Sequence, residues 1–143
     1  MRFYTVEING KQEILVGFQQ EAAVYRLSLL ARLVPELATD DMNELICCYT
    51  PAVKEKLERL AKNEDVLQRA AVNMTEVKLL APIVHPRQDV VCLGINYDAH
   101  AQEAGRFSSE AFGGERPYTI YFSKRVNRAT ASGESVPRYE GLV

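Results

Sequence analysis

Residues 3–18, FYTVEINGKQEILVGF, decide the fold at the start of the chain because they predict a β-hairpin. Apolar residues lead into Asn9-Gly10, and both turn residues tolerate the positive φ angles that a two-residue hairpin turn requires. Residues 14–18 predict the returning strand, and Ala23–Leu27 predicts a third one. The segment is therefore predicted to be a small antiparallel meander, which needs a helix or a second sheet on its apolar face to be stable.

Two helical patterns follow the meander. Thr39-Asp40-Asp41 offers N-cap side chains ahead of an apolar stripe, which predicts a helix over residues 39–49. Thr50-Pro51 starts a second amphipathic pattern over residues 51–70, with proline in the first turn, where its missing N–H does no harm. Short neighbouring strands followed by helices predict an α+β fold.

Composition limits the class of function. The chain has 143 residues, of which 47% are hydrophobic and 25% charged, as in ordinary globular proteins. A net charge of −2 offers no excess of positive charge for a nucleic-acid backbone, so we expect no nucleic-acid partner. No apolar run is long enough for a signal peptide or a membrane span. The three cysteines (Cys47, Cys48 and Cys92) form neither a disulfide framework nor a C-x-x-C pattern, so we expect a reducing, cytoplasmic location without a membrane partner.

A second informative stretch is residues 90–105, VVCLGINYDAHAQEAG. Val90–Gly94 predicts a short buried strand, and a helix over 97–104 would place His100 and Glu103 one turn apart on the same face. A carboxylate beside an imidazole orients the ring and stabilises the imidazolium that forms when histidine accepts a proton, which is the arrangement that activates water. On spacing alone, an H-x-x-E pair on a surface helix is more often an ordinary solvated pair.

The wider context adds specificity to this pair. The chain carries, in order, a proline-rich entry, an apolar strand, a G-x-N-Y turn, the H-x-x-E pair and an F-x-K strand: Pro82, Pro86, Val90–Leu93, Gly94-Ile95-Asn96-Tyr97, His100, Glu103, Pro117 and Phe122-Ser123-Lys124. This combination resembles the fumarylacetoacetate hydrolase family, specifically over residues 79–124. The first 75 residues also look like the strand-rich N-terminal extension of that family.

The resemblance implies cleavage or rearrangement of small 2-oxo or 1,3-dioxo carboxylic acids by a hydrolase, a decarboxylase or tautomerase, or an isomerase of aromatic-degradation intermediates. It implies a divalent cation, Mg²⁺ or Mn²⁺, that binds the oxo and carboxylate oxygens of the substrate. A homodimer is expected on separate grounds, because the short apolar strands predicted at 90–93 and 118–122 would expose sheet edges and apolar faces that favour association. By the same resemblance, His100 is the general base, Glu103 orients it, and Lys124 neutralises negative charge on the substrate. Two alternatives stay open: Lys124 is equally well an ordinary exposed lysine beside Arg125, and Asn96-Tyr97 could simply cap and pack the helix.

The sequence departs from the family at the metal ligands. Members bind the metal through an acidic E-x-E pair, whereas here Glu140 is followed two positions later by Leu142, so we assign no metal ligand in this chain. We therefore expect a fragment, with an N-terminal extension domain over 1–75 and the incomplete start of a mixed β-rich catalytic domain over 76–143. Such a fragment is expected to be inactive alone. The alternative is a non-catalytic α+β binding or assembly module that presents its helices as an interaction face.

Overall fold

The computed structural model describes residues 1–18, 23–107, 118–136, 138 and 141, and it confirms the α+β class. The chain divides into two compact units: the N-terminal unit, residues 1–85 with 128–143, and the ribbon unit, residues 86–127. Residues 76–85 belong to the N-terminal unit because β5 (Lys78–Leu79) pairs with β1 (Arg2–Ile8). The assignment of 76–143 to a catalytic domain stays a prediction.

The N-terminal unit is a five-stranded antiparallel sheet with helices on one face. In chain order its regular elements are β1 (Arg2–Ile8), β2 (Lys11–Gly17), β3 (Val24–Arg26), α1 (Leu27–Leu30), α2 (Met42–Cys48), α3 (Pro51–Leu60), α4 (Glu64–Ala70), β4 (Ala71–Val72) and β5 (Lys78–Leu79). Single 3₁₀ turns lie at Pro35–Leu37 and Met74–Glu76. The strand order across the sheet is β4-β3-β2-β1-β5.

The predicted hairpin is confirmed. Ile8 pairs with Lys11, and the two residues between them have positive φ, 52° at Asn9 and 75° at Gly10. These are the angles of a type I′ turn, whose twist matches that of the flanking strands. The third strand is also confirmed, although Leu27 belongs to α1 instead of the strand.

Both faces of the sheet are covered. On one face, Ile14, Val16 and Tyr25 pack with apolar residues of the helices in the main core. The helical and turn residues of that core are Leu27, Leu30, Ala31, Val34, Leu37, Met42, Leu45, Val53, Leu57, Leu67 and Ala70. On the other face, Val6, Leu15 and Val24 pack with side chains from the segment 72–77. The helices on the first face provide the layer that the meander was expected to need.

Side-chain caps define where the helices begin. Asp41 accepts a hydrogen bond from the Asn43 N–H at 2.8 Å, as the sequence predicted, and Thr50 accepts one from the Val53 N–H at 3.3 Å just ahead of Pro51. The prediction of one helix over 51–70 is wrong. The helix ends at Leu60 and a new one begins at Glu64, because the Asn63 side chain accepts from the Val66 N–H at 3.2 Å and caps α4.

Thr5 joins the sheet to the segment that follows β5. It is a buried polar side chain in β1, and its Oγ1 donates to the Pro82 carbonyl at 2.7 Å across 77 residues of sequence. The Leu80 N–H also donates to the Thr5 carbonyl, at 2.9 Å. Residues 80–82 are thus held to the sheet edge by backbone and side chain together.

Thr5→Val is expected to lower the free energy of unfolding by about 1 kcal/mol, because valine keeps the shape but cannot donate to Pro82. Urea unfolding of the two proteins measures the difference. Thr130→Val is the matched control, since Thr130 is exposed. Equal loss in both variants would mean that the Thr5 hydrogen bond contributes nothing specific.

The carboxylate of Glu134 holds the segment 128–134 on the rest of the N-terminal unit, and we call its set of contacts the carboxylate clip. Arg128 donates to both carboxylate oxygens of Glu134, at 3.0 and 2.9 Å, and the Ala131 N–H donates to one of them at 2.9 Å. Lys78 lies 3.7 Å from the same carboxylate, and the Ala129 N–H donates to the Val84 carbonyl at 2.8 Å. The hydrogen bonds from Arg128, followed by the one from Ala131, lower the pKa of Glu134 to about 2.

The lowered pKa of Glu134 leads us to predict the pH at which the clip is lost. The clip is fully formed above the ordinary carboxyl pKa of 4.5 and is lost as the pH falls through about 2. The amide signal of Ala131 is therefore expected to titrate near pH 2 in NMR spectra. In Glu134→Gln the signal should no longer titrate there, and the amides of residues 129 and 131 should exchange faster at neutral pH. A midpoint near 4.5 in the unsubstituted chain would contradict the clip.

The ribbon unit consists of two antiparallel strands and a helix. Val90–Gly94 (β6) pairs with Ile120–Lys124 (β7), and Asp98–Phe107 forms α5. The predicted F-x-K strand, Phe122–Lys124, is thus part of β7, and residues 108–117 lie outside the described residues. The prediction that Val90–Gly94 is buried is wrong: Val91 is 70% exposed, because the described residues of the ribbon unit include no buried side chain that would form a core beneath the strand. No described helix is long and apolar enough to cross a membrane.

Candidate functional site

The candidate site begins at the turn between β6 and α5. Gly94 ends β6 opposite Ile120, and a Cβ at Gly94 would lie only 3.2 Å from Cγ2 of that isoleucine. The next residue, Ile95, has a φ of 49°, which is unusual for a β-branched side chain. These two residues open the short connection to α5, which begins at Asp98. The first helical hydrogen bond joins the Ala101 N–H to the Tyr97 carbonyl at 3.0 Å.

The left-handed backbone conformation at Ile95 predicts that a glycine variant is more stable than an alanine variant, which reverses the usual order. Ile95→Gly is expected to be more stable than Ile95→Ala by about 1 kcal/mol, since both remove the side chain but only glycine adopts positive φ without strain. Denaturant unfolding followed by NMR signals of β6 measures this order. In an ordinary extended backbone, alanine would be the more stable of the two.

The structure confirms that His100 and Glu103 lie one helical turn apart in α5. His100 is half-buried, and its ring packs on that of Tyr97 with a centroid distance of 5.3 Å and an interplanar angle of 36°. Glu103 lies on the exposed flank of the helix. No hydrogen bond joins these two side chains, so within the described residues the neighbour of His100 is an aromatic ring and not a carboxylate.

Tyr97 is therefore a site neighbour that the sequence analysis treated only as a cap or packing residue. Its i, i+3 spacing from His100 is the signal that could have identified it. Tyr97 is 65% exposed, so the ring that packs on the imidazole is itself largely open to solvent.

Lys124 lies at the other end of the ribbon. In the register of β6 and β7, Lys124 pairs with Val90, whereas the turn that leads to His100 starts at Gly94. Four residues of strand separate these ends, which is about 13 Å. The Lys124 Nζ lies 5.8 Å from the ring centroid of its neighbour on the same face, Phe122. The register therefore does not bring Lys124 to His100, and its catalytic role stays a prediction.

Other cysteine, arginine and histidine side chains that could take part in chemistry have separate surroundings. Cys92 is half-buried in β6, and Arg106 is exposed near the end of α5. Arg116 lies outside the described residues. His85 belongs to the N-terminal unit, where its carbonyl accepts from Asn43 at 3.1 Å and where it lines a cavity of about 130 Å³.

The described residues do not fit a divalent cation. Mg²⁺ and Mn²⁺ require several oxygen ligands in a nearly octahedral arrangement. In the described ranges, no group of three or more His, Cys, Asp or Glu side chains is placed to hold a metal ion. Glu140 and Leu142, where the sequence departs from the family pattern, lie outside those ranges. No metal ligand is therefore assigned among the residues that the structure describes.

Comparison with known proteins finds one informative similarity. The chain is 36% identical over 92 residues to oxaloacetate tautomerase YisK of Bacillus subtilis (strain 168). The aligned part covers 64% of this chain and 29% of that protein, so the chain spans less than a third of the relative's length. No family model matches the chain. Because 92 residues are more than the motif segment 79–124 contains, the similarity is not confined to that segment.

Proposed function

We propose that this chain is the N-terminal part of an enzyme of the fumarylacetoacetate hydrolase family that interconverts the enol and keto forms of a small 2-oxo acid. The single observation that carries the proposal is the similarity to an oxaloacetate tautomerase over a stretch longer than the motif segment. The motif from Gly94 to Glu103 supports the same family. Oxaloacetate, a 2-oxo dicarboxylate, is the first substrate to test.

The chemistry of tautomerisation agrees with a site built on one imidazole. In the enol-to-keto direction, the O–H bond of the enol breaks and a C–H bond forms at the neighbouring carbon, so one proton leaves and one proton arrives. A single base that accepts and returns a proton can serve both events. Hydrolysis requires in addition a positioned and activated water, and the described side chains give His100 no carboxylate partner for that task.

Two further properties belong to the proposal for the full-length protein. The first is a divalent cation, Mg²⁺ or Mn²⁺, which would bind the adjacent oxo and carboxylate oxygens of the substrate; none of the described residues is assigned to it. The second is a homodimer, for which the exposed apolar strands of the ribbon unit offer a surface that further protein can cover. The cytoplasmic location stays a prediction.

The experiment uses the full-length gene product with Mn²⁺ and follows the absorbance of the enol as enol-oxaloacetate converts to the keto form. We expect a rate above the spontaneous one, in proportion to enzyme concentration. Decarboxylation of oxaloacetate and hydrolysis of an acylpyruvate are assayed in parallel. Hydrolysis without tautomerisation would agree with the proposed family but contradict the proposed reaction. No turnover in any assay would favour the non-catalytic module.

A further inference from the structure

A second concave surface lies on the N-terminal unit, between α1 with the turn that follows it and α4. It encloses about 350 Å³ and is lined by Leu29, Arg32, Leu33, Val66 and Arg69. The floor is apolar, and Leu33 is 57% exposed. This volume lies at the lower end of the range for sites that bind small molecules.

The two arginines that line this cavity differ from the paired arginines of the N-terminal unit. Arg26 binds Glu13, Arg59 binds Glu55 at 2.6 Å, and Arg128 binds Glu134 at 2.9 Å. Neither Arg32 nor Arg69 forms an ion pair or a side-chain hydrogen bond within the described part of the chain, a property that they share with Arg2 and Arg138 outside the cavity. The cavity therefore combines an apolar floor with two guanidinium groups whose donors are available.

Such a combination matches one kind of ligand. Guanidinium groups bind carboxylates through paired N–H donors, and two of them line this cavity. The leucine and valine side chains of the floor favour an apolar body, whose burial contributes roughly 25 cal/mol for each Å² removed from water. A purely inorganic anion would leave this floor uncovered, and a neutral apolar molecule would leave both arginines unpaired.

We propose that this cavity binds an amphipathic monocarboxylate, with an aryl or short alkyl body on Leu29, Leu33 and Val66 and the carboxylate between Arg32 and Arg69. The site is independent of the proposed tautomerase function, because it involves only residues of the N-terminal unit. It is open to solvent on one side, so we expect a dissociation constant in the range of roughly 0.1–1 mM.

The test uses 4-phenylbutyrate as the probe and NMR of the 143-residue chain as the measurement. We expect saturable shifts of the methyl signals of Leu33 and Val66 and of the side-chain N–H signals of the two arginines. Two matched probes separate the parts of the proposal: 4-phenylbutanamide keeps the body without the charge, and butyrate keeps the charge without the aryl group. Each is expected to bind at least about fivefold more weakly.

Protein variants provide the second arm of the test. Arg69→Gln is expected to weaken 4-phenylbutyrate binding about tenfold, because it removes a guanidinium group. Leu33→Ser is expected to weaken binding to the same extent, because it removes apolar contact with the aryl body. Arg59→Gln is the control, since Arg59 is an exposed arginine paired with Glu55 on α3. Well-dispersed NMR signals in the spectrum of each variant confirm that the variant is folded. The proposal is overturned if the amide binds as well as the acid, if Arg69→Gln leaves the affinity unchanged, or if the shifts scatter over the surface.

Discussion

His100→Ala in the full-length protein is expected to lower kcat for tautomerisation by about 10²–10⁴-fold, the usual cost of removing a general base. The reason is that His100 is the group that we propose to carry the proton, and none of the described carboxylates forms a hydrogen bond or an ion pair with it. KM is expected to change less than kcat, because the imidazole acts in the transition state more than in substrate binding. Stopped-flow measurement of enol absorbance gives both constants.

His85→Ala is the matched control for this variant. His85 is the other histidine of the chain, and it lies in the N-terminal unit. Its substitution is expected to leave kcat within about twofold of the unsubstituted enzyme, because a residue outside the reacting groups removes no transition-state interaction. A full rate in His100→Ala, or an equal loss in both variants, would remove His100 from the mechanism.

Leu57→Ala is expected to lower the free energy of unfolding of the N-terminal unit by about 2–5 kcal/mol. The Leu57 side chain has no solvent exposure and lies in the main core between α3 and the sheet. Its truncation loses apolar burial and leaves a cavity that the fixed strands cannot close. Since the total stability of a domain is typically about 5–15 kcal/mol, this single change is a large part of it.

Ile46→Ala is the comparison for the core variant. Ile46 lies on α2 and is 60% exposed, so its truncation should cost less than about 0.5 kcal/mol. Urea unfolding followed by circular dichroism measures both variants at the same protein concentration. If Ile46→Ala were as destabilising as Leu57→Ala, the helix layer would be packed differently from the arrangement described.

Local features of the fold could be predicted well. The turn at Asn9-Gly10 and the caps at Asp41 and Thr50 involve residues within three positions of one another, so their chemistry can be recognised in a short stretch. The break between α3 and α4 was missed although its cause, the Asn63 cap, is equally local. Apolar residues continue at helical spacing across the break, and this periodicity indicated one helix more strongly than the single cap residue indicated two.

The candidate site could be predicted only in part. Spacing predicted that His100 and Glu103 lie one turn apart, and the helix α5 confirms it. Spacing could not predict that the half-buried stripe of the helix includes His100 and leaves Glu103 exposed, because that depends on side-chain surroundings. The distance along the ribbon between Lys124 and the His100 turn follows from strand register, which the motif does not encode.

The sequence by itself determined the α+β class, the hairpin and the main helix starts, because each rests on turn or cap chemistry between close neighbours. Only the tertiary structure decided which distant residues meet. It brought Thr5 to Pro82, Arg128 and Glu134 to Lys78, and Arg32 to the same cavity as Arg69. Such meetings depend on how the sheet and helices pack as a whole, and no short stretch of sequence contains that information.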